Sequence, residues 1–480
     1  PQLLELACIV SHTNALVQRT SARAIGLLDS LLYSYPPALE QFTAARGMDV
    51  LVARTVQCVD DAVSRNAPLP FGATNVLRQL LRLFHHLMTT TGLADGLRNL
   101  IDTPLVPALR TIMEQRALFG TSVLAQAITI MASFVHNEPT QLVTIQEHKL
   151  PDAFLGVVQD GLEPSFELLN ALTTAIGALC LNEAGLHHMT SQPIVPHVLR
   201  VLTDERYHRV LLDRDNANIF GTAVDELVRH HPSLKEGVQT ELVHLLDGLV
   251  AMGQAFSPPT EPAARALYEL PSSGDAVSPQ PISTAELVLD EPDQTVPEPV
   301  PGDANAPVAS FDVLCRFLEG FFRNAALCRD FMRSGSLARL LAFLSTPCIP
   351  YHFGTSTPAD SLVMLLRTMV EESPSTVLSA LLRDVHQSMT EIASPMLALL
   401  EPHAPELQPR FRTWVRLHTR LHVLTDVCET FVQSFMFPNA STKVPLALFR
   451  ALSEGGDVAT LAQLGQLVRM YCLSYTSLMA

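Results

Sequence analysis

Between residues 171 and 202 the apolar side chains Leu172, Ile176, Leu179 and Cys180 recur at helical spacing and then break off over residues 182–185. A short helical turn fits residues 186–189. A second amphipathic helix restarts near Pro193, with Val195, Val198, Leu199 and Leu202 on its inner side. Such a helix-turn-helix unit leaves one apolar face bare and needs neighbours of the same shape.

The chain supplies them. Residues 24–52 place Leu27, Leu28, Leu31 and Leu32 inward, break at Pro36-Pro37 and restart at Met48. Residues 77–109 place Leu80, Leu83, Phe84 and Leu87 inward, break at Gly92 and restart behind Thr103, which reads as an N-cap before Pro104. Residues 127–155 break at Asn137-Glu138-Pro139 and restart at Leu150-Pro151. Residues 311–344 break at Asn324 and restart at Gly335. The restart points Met48, Leu105, Leu150, Ile194 and Leu337 are about 57, 45, 44 and 143 residues apart, and intervals near 45 suit an armadillo or HEAT solenoid. The expected fold class is therefore all-α, an armadillo/HEAT-like α-solenoid of stacked helical hairpins. The long last interval holds one irregular pair and a linker.

Composition agrees with packed helices. The 480 residues are 48% hydrophobic but only 6% aromatic, with Leu and Ala dominant. No stretch is long and apolar enough for a membrane span, and no basic-then-apolar leader opens the chain, which begins at Pro1 and reads as a piece of something longer. Residues 256–310 differ sharply from the rest: 11 prolines and nine acidic residues face the single base Arg265. That span carries half of the net charge of −16 and reads as a disordered, self-repelling insertion, within which residues 283–289 (STAELVL) suit one transient helical turn. The expected organisation is helical repeats over residues 1–255, the acidic Pro-rich insertion over 256–310, and a continuation of the solenoid over 311–480.

Candidate chemistry is sparse. The eight cysteines, at positions 8, 58, 180, 315, 328, 348, 428 and 472, are scattered without a CxxC pair and read as buried, reduced thiols of a cytoplasmic or nuclear protein. Acidic balance argues against a nucleic-acid groove. Arginine outnumbers lysine 29 to three, the lysines being Lys149, Lys235 and Lys443. Codon bias explains this without function; the sharper reading is a surface kept poor in acceptor lysines. The doublets His85-His86, His187-His188 and His230-His231 point about 100° apart on a helix and do not converge on one ion. His418 and His422 have i, i+4 spacing but no further ligand nearby in sequence. Arg412, Arg416 and Arg420 make a basic edge beside Trp414, read as solvated or as a dock for the acidic linker or an acidic partner. No phosphate loop, HExxH, GxSxG elbow or Rossmann glycine triplet occurs. The sequence therefore assigns no catalytic, cofactor or metal residue and no cofactor.

The densest signature is residues 213–249. A helix through Ile219, Val224, Leu227 and Val228 stops at His230-His231-Pro232. Ser233 and Glu236 form a capping box, and Val238, Leu242, Leu245, Leu246 and Leu249 line the next helix. Asp225 reads as solvating the outer face and pairing with Arg229 at i+4. This segment, DELVRHHPSLK after Asp215-Asn216-Ala217, resembles the corner of the N-terminal helical region of the giant HECT-type E3 ubiquitin-protein ligases, the yeast Tom and animal Mule family. So do Asn137-Glu138-Pro139-Thr140, Ala178-Leu179-Cys180-Leu181-Asn182 with Gly185-Leu186, FLEGFFRNA at 317–325, Cys328-Arg329-Asp330-Phe331, and PCIPYHFGTS at 347–356, where Cys348 and His352 depart from the family's pattern.

The resemblance covers roughly residues 125–400. It implies an armadillo-like scaffold that handles protein substrates for a large ligase, with ubiquitin-charged E2 engaged only through a HECT domain outside this chain. No cysteine here matches that domain's catalytic surroundings. Other regions of the parent ligase are expected partners. The competing reading is an armadillo transport or adaptor protein without ubiquitin chemistry.

Overall fold

Every restart point read from the hydrophobic pattern falls within one residue of a helix start: Met48 in Gly47–Arg65, Leu105 in Leu105–Glu114, Leu150 in Leu150–Gln159, Ile194 in Ile194–Leu199 and Leu337 in Ser336–Phe343. The computed structural model describes residues 2–9, 14–89, 100–137, 142–256, 306–350, 353–390 and 408–435. Among the described residues there are 22 α-helices and no strand, so the chain is all-α.

The first five helices are α1 (Gln2–Ala7), α2 (Ala15–Ser34), α3 (Pro36–Ala44), α4 (Gly47–Arg65) and α5 (Phe71–Thr89). Next come α6 (Leu105–Glu114), α7 (Arg116–Phe119), α8 (Thr121–Asn137), α9 (Leu142–Glu147), α10 (Leu150–Gln159) and α11 (Phe166–Leu179). Then follow α12 (Glu183–Ser191), α13 (Ile194–Leu199), α14 (Glu205–Leu211), α15 (Asn216–His230) and α16 (Lys235–Ala255). The last six are α17 (Ala306–Phe321), α18 (Ala325–Arg333), α19 (Ser336–Phe343), α20 (Thr357–Glu372), α21 (Pro374–Thr390) and α22 (Gln408–Phe435). Helix α17 begins five residues ahead of Phe311, because Val308 and Ser310 already join its buried face. Residues 257–305 of the acidic insertion, and with them the helical turn at 283–289, lie outside the described residues, as do Gly92 and Cys472.

The chain divides into two compact units, Pro1–Leu245 with Arg316–Leu327, and Leu246–Cys315 with Cys328–Ala480. In the first, α2, α5, α8, α11 and α15 each pack on the next to form one row, and α4, α6, α10 and α13 do the same in a second row. This is the stacking of a solenoid, in which each helical pair covers the apolar face of its predecessor. The central helix α8 buries residues on nearly every side, Leu124, Ile128, Met131 and Val135 together with Val123, Ile130 and Phe134, because neighbours flank it in its own row and in the other. Helix starts follow local chemistry. Asn14 Oδ1 accepts from the backbone N–H groups of Leu16 and Val17, Ser165 Oγ from Leu168, and Asn182 Oδ1 from Ala184. Pro104, not Thr103, stands at the N-cap position of α6, yet Thr103 Oγ1 still accepts from Leu105 N.

One device recurs where a short helix hands over to a second-row helix. Arg46 (φ 48°) before α4 and Lys149 (φ 56°) before α10 adopt the left-handed conformation, and each closes the turn through its N–H to the carbonyl three residues back. In the second unit Gly335 (φ 78°) makes the same turn before α19.

Some inward assignments fail. Leu27 is 52% exposed: on α2 the buried stripe runs through Ile25, Leu28 and Leu32, and Leu27 lies about 200° round the helix from Ile25. Ile219 is exposed on α15 for the same geometric reason, whereas Val224, Leu227 and Val228 are buried. Val195 is half-buried. The helical turn expected at 186–189 is the nine-residue helix α12, because Asn182 caps it early.

In the second unit α20, α21 and α22 pack on one another. Phe311 stacks on Phe343 with ring centroids 4.3 Å apart, and Phe353 closes on the same ring at 6.4 Å. Ser361 Oγ donates to the buried Asp312 carboxylate at 2.6 Å.

Candidate functional site

The corner segment singled out in the sequence is built in the first unit from α15, the 3-10 turn Pro232–Leu234 and the start of α16. Asn216 Nδ2 donates to the carbonyl of Val210 at 2.8 Å and ties the start of α15 to the end of α14. Helix α15 stops at His230, as the Pro232 punctuation predicts. His231 is buried; its ring hydrogen-bonds the Gly177 carbonyl of α11, while burial holds its pKa below the ordinary histidine value. The apolar stripe Val238, Leu242, Leu245, Leu246 and Leu249 is buried as expected.

Asp225 departs from expectation. It is only 6% exposed rather than solvating an outer face, and one of its carboxylate oxygens has no hydrogen-bond partner. Burial raises its pKa; the guanidinium groups of Arg229 and Arg323 act in the opposite direction. The i+4 pair with Arg229 is replaced by a 3.8 Å contact from Arg229 to Glu226. The cause is the crossing of α15 by the segment 316–327, which covers that flank. Gly221 and Gly320 meet there, Phe220 lies 5.3 Å from Phe317, and Phe317, Phe321 and Phe322 are buried.

The other resemblance motifs are also structural. Gly185 packs so closely beneath α11 that a Cβ on it would fall 2.1 Å from the Leu179 carbonyl oxygen. Asn137 Nδ2 donates to the Met88 carbonyl at 3.2 Å, linking α8 to α5. Glu138, Pro139, Thr140 and His352 lie outside the described residues. Cys328, Phe331, Cys348 and Phe353 are buried. Tyr207, unremarked in the sequence, is buried and donates its hydroxyl to the Glu163 carbonyl at 2.9 Å.

The histidine and arginine candidates resolve into pairs. His86 Nδ1 lies 2.8 Å from Asp29 Oδ2, and His422 Nδ1 lies 2.8 Å from Asp426 Oδ2. The rings of His418 and His422 stand 6.5 Å apart, edge to face. Among the described residues no group of three His, Cys, Asp or Glu side chains could hold a metal ion. The basic edge is corrected at Arg420, which is 8% exposed, sits 2.7 Å from Asp384 Oδ2, and donates to the hydroxyls of Ser388 and Ser345. Tertiary packing of α22 on α21 overrides its solvated reading; the side chain of Arg412 lies outside the described residues.

Among the described residues seven cysteines are free thiols, five of them buried and Cys8 and Cys428 half-buried. Burial pushes the thiols of Cys180 and Cys328 up to about 12 and that of Cys428 up to about 11. A nucleophilic thiolate requires the opposite shift. A cavity of about 30 Å³ lies among Gln18, Arg54, Cys58, Asp61 and Arg65. It has room for water rather than for a substrate, since ligand pockets run to several hundred Å³. What these groups do chemically is fix helices against one another.

The comparisons follow this pattern. Residues 22–352 match the family described as Domain of Unknown Function (DUF913). The E3 ubiquitin-protein ligase ptr1 of Schizosaccharomyces pombe is 31% identical over 251 residues, 49% of this chain and 8% of that protein. The E3 ubiquitin-protein ligase TOM1 of Saccharomyces cerevisiae is 28% identical over 51% of this chain and 8% of its own length. The E3 ubiquitin-protein ligase HUWE1 of Mus musculus is 24% identical over 62% of this chain and 7% of its own length. The chain thus spans less than a tenth of each of these relatives. With the family match running from residue 22 to residue 352, and with the resemblance to giant ubiquitin ligases repeated in relatives so named, the chain belongs to the family described as Domain of Unknown Function (DUF913).

Proposed function

We propose that this chain is a non-catalytic scaffold segment of a HECT-type E3 ubiquitin ligase, contributing surface for substrate and partner recognition in the cytoplasm or nucleus. The observation that carries the reading is the state of its thiols. Ubiquitin transfer through a thioester needs an accessible, acidified cysteine, whereas burial raises the thiols of Cys58, Cys180, Cys328 and Cys348. Free cysteines also support a reducing compartment. The row-on-row packing of the first unit supports a role in shape and surface, as in other repeat proteins.

The test has two arms. Ubiquitin-charged E2 mixed with this chain yields no DTT-sensitive adduct, and such an adduct overturns the non-catalytic reading. Deleting the segment from the parent ligase leaves thioester formation on the HECT cysteine intact while ubiquitination of a subset of substrates falls; unchanged ubiquitination of every substrate overturns the recognition role.

A further inference from the structure

Helices α2 and α5 lie side by side and parallel. A Cβ on Gly72 of α5 would fall 2.0 Å from Gln18 Oε1 of α2, one on Gly26 of α2 would lie 3.9 Å from Gln79 Oε1 of α5, and His86 Nδ1 of α5 meets Asp29 Oδ2 of α2 at 2.8 Å. These three ties fix the register. On α2, Leu16, Arg19, Arg23 and Leu27 recur at i, i+3, i+7 and i+11 and so share one face, and all four are exposed. On α5, Phe71 and Arg82, eleven residues apart, also share an exposed face. Phe71 is 87% exposed and Leu16 72%, large for apolar side chains of ordered helices.

The charge of this pair of helices is opposite to that of the chain. Four arginines, Arg19, Arg23, Arg78 and Arg82, stand against the single carboxylate Asp29, on a chain whose net charge is −16. Asp29 is held by His86, and Arg78 is held by Glu167 at 2.8 Å. No carboxylate among the described residues pairs with Arg19, Arg23 or Arg82. Guanidinium groups stay charged and present planar forks that match carboxylates. Exposed apolar side chains set among them offer anchors that a phosphate backbone would not use.

We propose that this stripe docks an acidic segment of a partner protein, its Asp and Glu side chains on Arg19, Arg23 and Arg82 and its Leu or Phe side chains on Leu16, Leu27 and Phe71. From Leu16 to Leu27 the stripe is about 16 Å long, so a short helix of about three turns covers it. The proposal rests on the recognition reading above and names the chemistry of what is recognised.

The full chain is titrated with a fluorescent peptide of Glu, Asp, Leu and Phe, alongside the same peptide with Gln and Asn for the acids, one with Ser for the apolar residues, and oligouridylate RNA. Binding of the acidic apolar peptide is expected to weaken with salt and to fall by about tenfold or more in the triple variant Arg19→Glu, Arg23→Glu, Arg82→Glu and in the double variant Leu27→Ser, Phe71→Ser. The variant Arg209→Glu, a surface arginine on α14, leaves it unchanged. Thermal melting checks folding, and Arg→Gln at the same three positions replaces the charge reversal if that variant melts early.

Equal binding by the triple variant, equal binding of the amide peptide, or tighter binding of the RNA overturns the proposal. So does self-association of the chain that the triple variant abolishes, since the occupant would then be a second copy. The peptide assay needs no ligase, so its failure leaves the scaffold reading standing, whereas that reading fails in the deletion assay.

Discussion

Gly221 and Gly320 let two helices cross backbone to backbone. A Cβ on Gly221 would lie 2.0 Å from the Phe317 carbonyl oxygen, and one on Gly320 would lie 2.0 Å from the Asn218 carbonyl oxygen. A carbonyl in a helix cannot swing aside as a flexible side chain can, so the helices themselves must separate and uncover Phe220 and Phe317. Gly221→Ala and Gly320→Ala should each cost about 3 kcal/mol in urea denaturation, with the double variant costing less than the sum because one separation accommodates both methyls. Gly248→Ala, on α16 with nothing within 4 Å of the new methyl, should instead stabilise by about 1 kcal/mol.

The left-handed residues at the turns before α4, α10 and α19 give a second expectation. An L-residue in that conformation costs about 1–2 kcal/mol, and Lys149 adopts it at φ 56° where Gly335 adopts it at φ 78°. Lys149→Gly should therefore be neutral or stabilising by up to about 1 kcal/mol, against its larger unfolded-state entropy, while Gly335→Ala should destabilise by about 1 kcal/mol. Chemical denaturation of both variants reads the two signs, and a destabilised Lys149→Gly would show that its side chain matters more than its backbone.

What was legible in the sequence was what local chemistry dictates. Leu105, Leu150 and Ile194 mark helix starts because proline and asparagine punctuation acts within a few residues. The buried stripe Leu80, Leu83, Phe84 and Leu87 follows from the helical period alone. What escaped depends on partners distant in sequence. Asp225 is buried because residues 316–327 cross α15 nearly a hundred positions later, and Arg420 is buried because Asp384 waits on another helix. The α2 stripe was hidden by a different fault: Leu27 is apolar, and counting it inward concealed the exposed face it shares with Arg19 and Arg23.

Asp225 links stability to pH. Its pKa in the folded chain is raised above the ordinary 3.8 by burial, so the folded state favours the protonated carboxyl. The contribution of this residue is thus fully present below the unfolded pKa and is lost as pH rises through the folded value. Asp225→Asn should be more stable than the parent at neutral pH, by about 1 kcal/mol on the scale of an unsatisfied buried group, and the advantage should shrink as pH falls toward 4. Denaturation midpoints across that range check the sign. A variant less stable than its parent at pH 7 would mean that attraction from Arg229 and Arg323 outweighs burial.

Arg420 and Asp384 form a pair 2.7 Å apart, with Arg420 8% exposed and its remaining nitrogens on Ser388 and Ser345. Removing one partner strands the other charge where water reaches it poorly. Asp384→Asn and Arg420→Met should each destabilise the second unit by about 3 kcal/mol. Replacing both, with Met at 420 and Leu at 384, removes both desolvation penalties and extends the apolar seam of Val385, Leu417, Leu421 and Leu424. The double variant should therefore recover most of the loss. If it is instead as unstable as the singles together, the hydroxyls of Ser345 and Ser388, left without their guanidinium donor, carry the cost, and Ser388→Ala in the double background should then restore stability.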